Sequence, residues 1–252
     1  DRDKLAIYLN ECRRMGIKVL PPDVNESLSE FAPIGKDIRF GLSAIKNVGE
    51  NVVEALINSR KKQERFTDFF DFLKKVDSVV CSKRVIESLI KAGAFDSLGH
   101  SRKALLSIHI EAVESASEAK RAESIGQYDL FGASEEAVSV TGNQIVIQDE
   151  EWEKATLLNF ERQMLGLYVS DHPLLGIEHL LNRFSDTQMA EISHGSKSDG
   201  DIVTVAGLVT NIQRKVTKQG ANWAIVTLED LAGAVDLMVF SQTYANVANL
   251  IH

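Results

Sequence analysis

Cysteine is scarce: two residues in 252, Cys12 and Cys81, far apart and in no CxxC spacing. That argues against a disulfide scaffold and predicts reduced, buried thiols in the cytoplasm. No apolar run is long enough to cross a bilayer, so no membrane partner is expected. The six histidines form no HxxxH or Cys/His cluster of metal-ligand type, and no metal site is expected from them. There is neither an initiator Met nor a signal peptide. The chain begins at Asp1 and stops at Ile251-His252 just after an amphipathic run, which suggests a piece excised from a larger protein. An excess of positive charge is also lacking. The net charge of -8 argues against nucleic acid until its distribution is read. Between Lys36 and Lys103, Lys and Arg outnumber Asp and Glu; between Ala104 and Glu161 the balance reverses. The basic segment can meet phosphate while the acidic one stays clear of it.

What is present is a soluble, globular composition, 44% hydrophobic and 25% charged, at a length that suits about two domains. Residues 1–33 open with Leu5, Leu9, Cys12 and Met15 at helical spacing, a pattern that ends at Gly16. A strand-like Ile17–Leu20 follows, and Pro21-Pro22 stops it. Residues 34–125 read as helical with Gly at the boundaries, and 126–150 as a linker of low hydrophobicity. Residues 151–184 return to helix around Trp152, Leu157, Leu158, Met164 and Leu165. In 201–252 the period changes to two, from Val203 through Val209, then Ala224–Glu229 and Ala234–Phe240, with turns at Gln219-Gly220 and Ala232-Gly233. The fold class expected is mainly α, followed by part of an all-β domain.

Two helical hairpins carry the chemistry. In Gly41–Arg60 a short apolar helix (Leu42, Ile45) meets Lys46-Asn47-Val48-Gly49, and a second helix starts at once. The reading places Gly49 at the tightest point of the turn. There it leaves the opening amides of the second helix open to a phosphate, with Val48 as the core anchor and Lys46, Asn51 and Arg60 bordering the anion. Such a site cannot read bases. In Lys83–Leu106 a helix ends at Ala92-Gly93-Ala94-Phe95, and a long helix begins near Ser101 as N-cap. Lys83, Arg84, Lys91, Arg102 and Lys103 cluster around this second turn, with Gly93 at the closest phosphate approach. Tandem hairpins on a basic segment suggest a clamp on duplex DNA. The rival is a structural or adaptor protein whose hairpins only pack, with a solvated basic face.

The linker contains Gln127-Tyr128-Asp129-Leu130-Phe131 between Gly126 and Gly132. An apolar pair on such a segment suits the pocket of another protein, with Leu130 and Phe131 as anchors and the Gln127 amide fixing orientation. Folding back onto its own domain is the alternative. Ser170-Asp171-His172-Pro173 holds the side chains of a triad, but three neighbours on an X-Pro turn cannot converge as a triad does; a helix-start turn is expected.

In this order, RRMGIKVLPPDVN (Arg13–Asn25), RFGLSAIKNVG (Arg39–Gly49), LIKAGAFDSLG (Leu89–Gly99), QYDLFG and ERQMLGLYVSDHPL (Glu161–Leu174) resemble the bacterial replicative DNA polymerase III alpha subunits along essentially the whole chain. The resemblance implies that residues 1–33 are the edge of a fingers domain and 34–125 a tandem helix-hairpin-helix DNA-binding domain. It implies further that 126–150 carries a motif for the sliding clamp (beta subunit), that 151–200 is a helical connector, and that 201–252 opens an oligonucleotide-binding (OB) barrel. The family's clamp motif falls on Gln127, Leu130 and Phe131, with Tyr128 and Asp129 at variable positions. Its catalytic carboxylates and magnesium ions, which serve nucleotidyl transfer, would lie upstream of Asp1, so no cofactor and no polymerase activity are expected of these residues alone. The barrel would meet single-stranded DNA. Three strands are expected here, and Trp223, near Lys215 and Lys218, is either a stacking residue or core.

Overall fold

In the unit that begins at Gly16, three very short strands precede the helices. The computed structural model describes residues 8–9, 11–12, 15–124, 150–193 and 195–251, and its contacts divide into Gly16–Asp171 and a second unit of Asp1–Met15 with His172–His252. In the first unit β1 (Val19–Leu20) pairs parallel with β3 (Asp37–Arg39), and β2 (Ala32–Ile34) pairs antiparallel with β3. The strand-like Ile17–Leu20 contains β1, whereas expecting helix from residue 34 onward missed β3 and its pairing with β2. Strands of two or three residues are too short for a period of two to register, and the β1–β3 pairing is non-local.

The helices of this unit are α1 (Glu50–Gln63), α2 (Phe69–Lys75), α3 (Lys83–Lys91), α4 (Arg102–Ser124) and α5 (Lys154–Leu165). Their core is aromatic. Phe66, Phe69, Phe72 and Phe95 are fully buried and meet edge to face, with centroids 4.8–5.3 Å apart, the arrangement their ring quadrupoles favour. Val85, Ile86, Leu89 and Ile90 of α3 pack inward, as their helical spacing predicts. Asp68 caps α2 by accepting from the Phe70 and Asp71 amides. Gly166, at φ 84, ends α5 with its amide on the Arg162 carbonyl.

The second unit contains α6 (Glu178–Phe184), α7 (Met189–Ser193), α8 (Ser241–Val247) and an antiparallel sheet in the order β4 (Leu208–Val216), β5 (Asn222–Glu229), β6 (Ala234–Val239). Strand β4 begins later than the alternation from Val203 suggests, and a register shift interrupts it between Val209 and Asn211. Ala224 and Val226 are buried on one face, while Trp223 and Ile225 point to the other. A helical hairpin unit followed by a three-stranded sheet of OB-like character is therefore the fold class, as the change of period predicts. Among the described residues no helix is long and apolar enough to cross a membrane.

Candidate nucleic-acid interface

The first hairpin is tighter than its sequence suggests. Its first helix is a single 3-10 turn, Leu42–Ala44, and the residue with positive φ is Asn47 at 68°. Gly49 sits instead at φ -79, ψ 161 as the N-cap of α1, a conformation open to any residue. Asn tolerates the left-handed region better than other non-glycine residues, so the turn does not need glycine at its sharpest point. What glycine contributes is space: a Cβ built on Gly49 meets nothing within 4 Å. No side chain caps α1. The Val52 and Val53 amides turn back to the Gly49 carbonyl, which leaves the Glu50 and Asn51 amides and a positive dipole end at the opening of the helix, with the Glu50 carboxylate as the one acidic group there.

Asn47 does more than turn the chain. Its Nδ2 donates to Ser88 Oγ at 3.1 Å, and its Oδ1 accepts from the Arg84 guanidinium at 2.8 Å. Arg84, on α3, is thereby held over the first turn rather than the second. Nothing local in the sequence signals this, because the partners are 37 residues apart. Val48 is buried as the anchor, and the Lys46 amide donates to the Met164 carbonyl of α5. The side chains of Lys46 and Asn51 are exposed, and Lys46 makes no ion pair among the described residues. Arg60 turns inward: its guanidinium donates to the Val24 and Ser27 carbonyls, both at 3.0 Å. Burial lowers it below its ordinary value, partly opposed by Asp23. It ties α1 to the preceding loop and does not border the anion site.

The second hairpin departs further from expectation. Gly93 has φ 79, and a Cβ there would lie 2.2 Å from an Arg102 guanidinium nitrogen. The space beside Gly93 is filled by Arg102, not left for a phosphate. Arg102 is 7% exposed and pairs with Asp96 through Nε (2.9 Å) and an outer nitrogen (2.6 Å). Burial works to lower its pKa, but Asp96, Glu161 and Glu151 outweigh that and hold it above its ordinary value. Lys91 lies along Glu87 at 2.6 Å with its ammonium 5.1 Å from the Phe160 ring centroid. Lys103 pairs with Glu150 at 2.7 Å. Of the residues placed at the two turns by sequence, Lys46, Asn47, Val48, Gly49 and Asn51 gather at the first. Lys91, Gly93 and the Arg102 side chain are committed within the protein.

Buried Glu161 accepts from the Val169 and Ser170 amides and from Ser170 Oγ, and His172 Nδ1 accepts from the Leu174 amide. The Ser170 hydroxyl proton is thereby committed to Glu161. Among the described residues no group of three or more His, Cys, Asp or Glu suits a metal ion. On the sheet, Trp223 is half-buried with Lys215 5.4 Å above its ring, and Phe240 is stacked beside it at 6.4 Å. Gln127–Phe131 lie outside the described residues.

The helix-hairpin-helix motif family matches residues 16–105, which span both turns. The chain is also 48% identical, over its full length, to DNA polymerase III subunit alpha of Saccharopolyspora erythraea, 50% over 98% of the chain to that of Mycobacterium leprae, and 35% over 99% to that of Escherichia coli. The chain is a relative of one segment of the DNA polymerase III alpha subunits. It spans about 21% of the length of these relatives. The helix-hairpin-helix match begins at Gly16, where the first unit also begins.

Proposed function

We propose that this chain grips duplex DNA by its phosphates, without reading bases, as the DNA-holding segment of a replicative polymerase. The observation that carries the reading is the first turn. An uncapped helix N-terminus, an open approach at Gly49, exposed Lys46 and an Arg84 guanidinium held by Asn47 all belong to this one turn. Amides and a helix dipole supply the anion site, and the two cations add charge that salt screens. The helix-hairpin-helix match and the named relatives support the same chemistry. The finer parts of the proposal are a cytoplasmic setting, the clamp (beta subunit) as partner for Gln127–Phe131, and single-stranded DNA on the Trp223–Phe240 face of an OB-type sheet. Nucleotidyl transfer with magnesium belongs to the longer polymerase.

Gly49→Val provides the test, because the backbone angles and the space at that position admit a side chain, at the cost of the poorer N-cap that Val makes. Combined with Lys46→Ala, it should weaken binding to duplexes of any sequence, each lost contact costing about 1 kcal/mol. Fluorescence anisotropy on short duplexes at two salt concentrations checks this. Unchanged binding by the folded double variant would sink the reading.

A further inference from the structure

The two hairpins differ at the start of their second helices: α1 begins open, whereas α4 begins on a carboxylate from the same chain. The Arg102 amide donates to Glu151 Oε2 at 2.7 Å and the Lys103 amide to Oε1 at 3.1 Å. Ser101 Oγ accepts from the Ala104 amide at 3.2 Å and donates to the Glu150 carbonyl at 2.7 Å. The Lys103 ammonium meets the Glu150 carboxylate at 2.7 Å and draws that carboxyl below its ordinary pKa. Glu151 Oε1 also accepts the Trp152 amide at 2.8 Å, which fixes the carboxylate's orientation.

Two oxygens of one anion across consecutive amides at a helix start, with an ammonium alongside, is how a phosphodiester sits on such a terminus. The bound anion here carries the same charge and presents the same pair of acceptors. Glu150 and Glu151 are both exposed, so a competing anion can reach them.

We propose that Glu151, seconded by Glu150 on Lys103, is an internal surrogate for a backbone phosphate. It closes the second hairpin while DNA is absent and is displaced when a duplex engages both turns. The proposal rests on the duplex-binding reading and deepens it. The second site works through the backbone amides of Arg102 and Lys103 and the Lys103 ammonium, not through the Arg102 side chain, which stays on Asp96. The resting chain holds DNA through the first turn alone, and full engagement requires the carboxylates to leave. A carboxylate that only caps α4 predicts the opposite behaviour, because its loss would loosen the helix start and gain nothing for DNA.

The test uses the whole chain with Glu151→Ala, and Glu151→Gln as a variant that keeps the shape and removes the charge. Binding to a random-sequence duplex is followed by anisotropy across a salt series, with folding checked by circular dichroism melts. Both variants should bind several-fold more tightly than the parent. The slope of log affinity against log salt should steepen by about 0.9, the value for one added phosphate contact. In the parent, the Arg102 and Lys103 amide resonances should shift as duplex is added. Equal or weaker binding by a folded variant, or saturation with those two amides unmoved, overturns the surrogate and leaves the first-turn reading intact. If parent and variants alike fail to bind duplex, the duplex reading falls and the surrogate with it. Gly49→Val should leave the gain from Glu151→Ala in place, which separates the two sites.

Discussion

Gly93 and Gly49 look alike in the sequence and differ in consequence. At Gly93 the backbone is left-handed and the Arg102 guanidinium lies where a Cβ would be. Gly93→Ala therefore has to distort the turn or expel a buried cation from its Asp96 pair. It should lower stability by about 1–2 kcal/mol from the left-handed backbone alone, and by more if the pair breaks. Urea denaturation measures the loss, and an unchanged midpoint would refute this account. At Gly49 neither constraint exists, so its substitution should be felt chiefly by DNA, and by the fold only through a poorer N-cap. The sequence reading treated the two glycines as equivalents because spacing reports where a turn lies, not what fills the space beside it.

Among the elements, α2 shows how much a short helix depends on its ends. It has seven residues, too few to persist without packing and caps. Asp68→Ala removes the acceptor for two amides and should cost about 0.5–2 kcal/mol. Asp71 adds a pH dependence. Burial pushes its carboxyl up, but the Lys75 ammonium and the Thr67 amide outweigh that, so it titrates below its ordinary 3.8. A depressed folded pKa means that the stabilisation is present above the unfolded value and is lost as acid takes the pH through the folded one. The gap in melting temperature between the parent and Asp71→Asn should therefore be full at neutral pH and close on acidification. A gap that persists with the carboxyl fully protonated would contradict the assignment.

For the molecule as a whole, the proposed division of labour is that the hairpins hold DNA while Gln127–Phe131 holds the clamp. Leu130 and Phe131 should supply most of that binding energy, as buried apolar anchors do, with Phe131 contributing more because it buries more area. Calorimetry of a Leu130→Ala, Phe131→Ala double variant against the clamp should give no detectable heat, while duplex binding stays at the parent level. Parent-like heat from that variant would move the contact elsewhere on the chain.

Local pattern was enough to determine the helices α1, α3, α4 and α5, the strands β5 and β6, the core positions Val48, Leu89 and Ile90, and the existence of both turns. Each depends on residues within a few positions of one another, where period, caps and glycine act directly. What only the tertiary structure decided depends on partners far apart in the chain. Arg84 reaches the first turn through Asn47, 37 positions away, and Glu151 occupies a helix start 49 positions before it. Arg102 carries a charge that in sequence points to phosphate, yet burial against Asp96 commits it to the fold. A cation's type is written in the sequence, but whether it faces solvent or a carboxylate is set by packing, and that decides whether it can meet DNA.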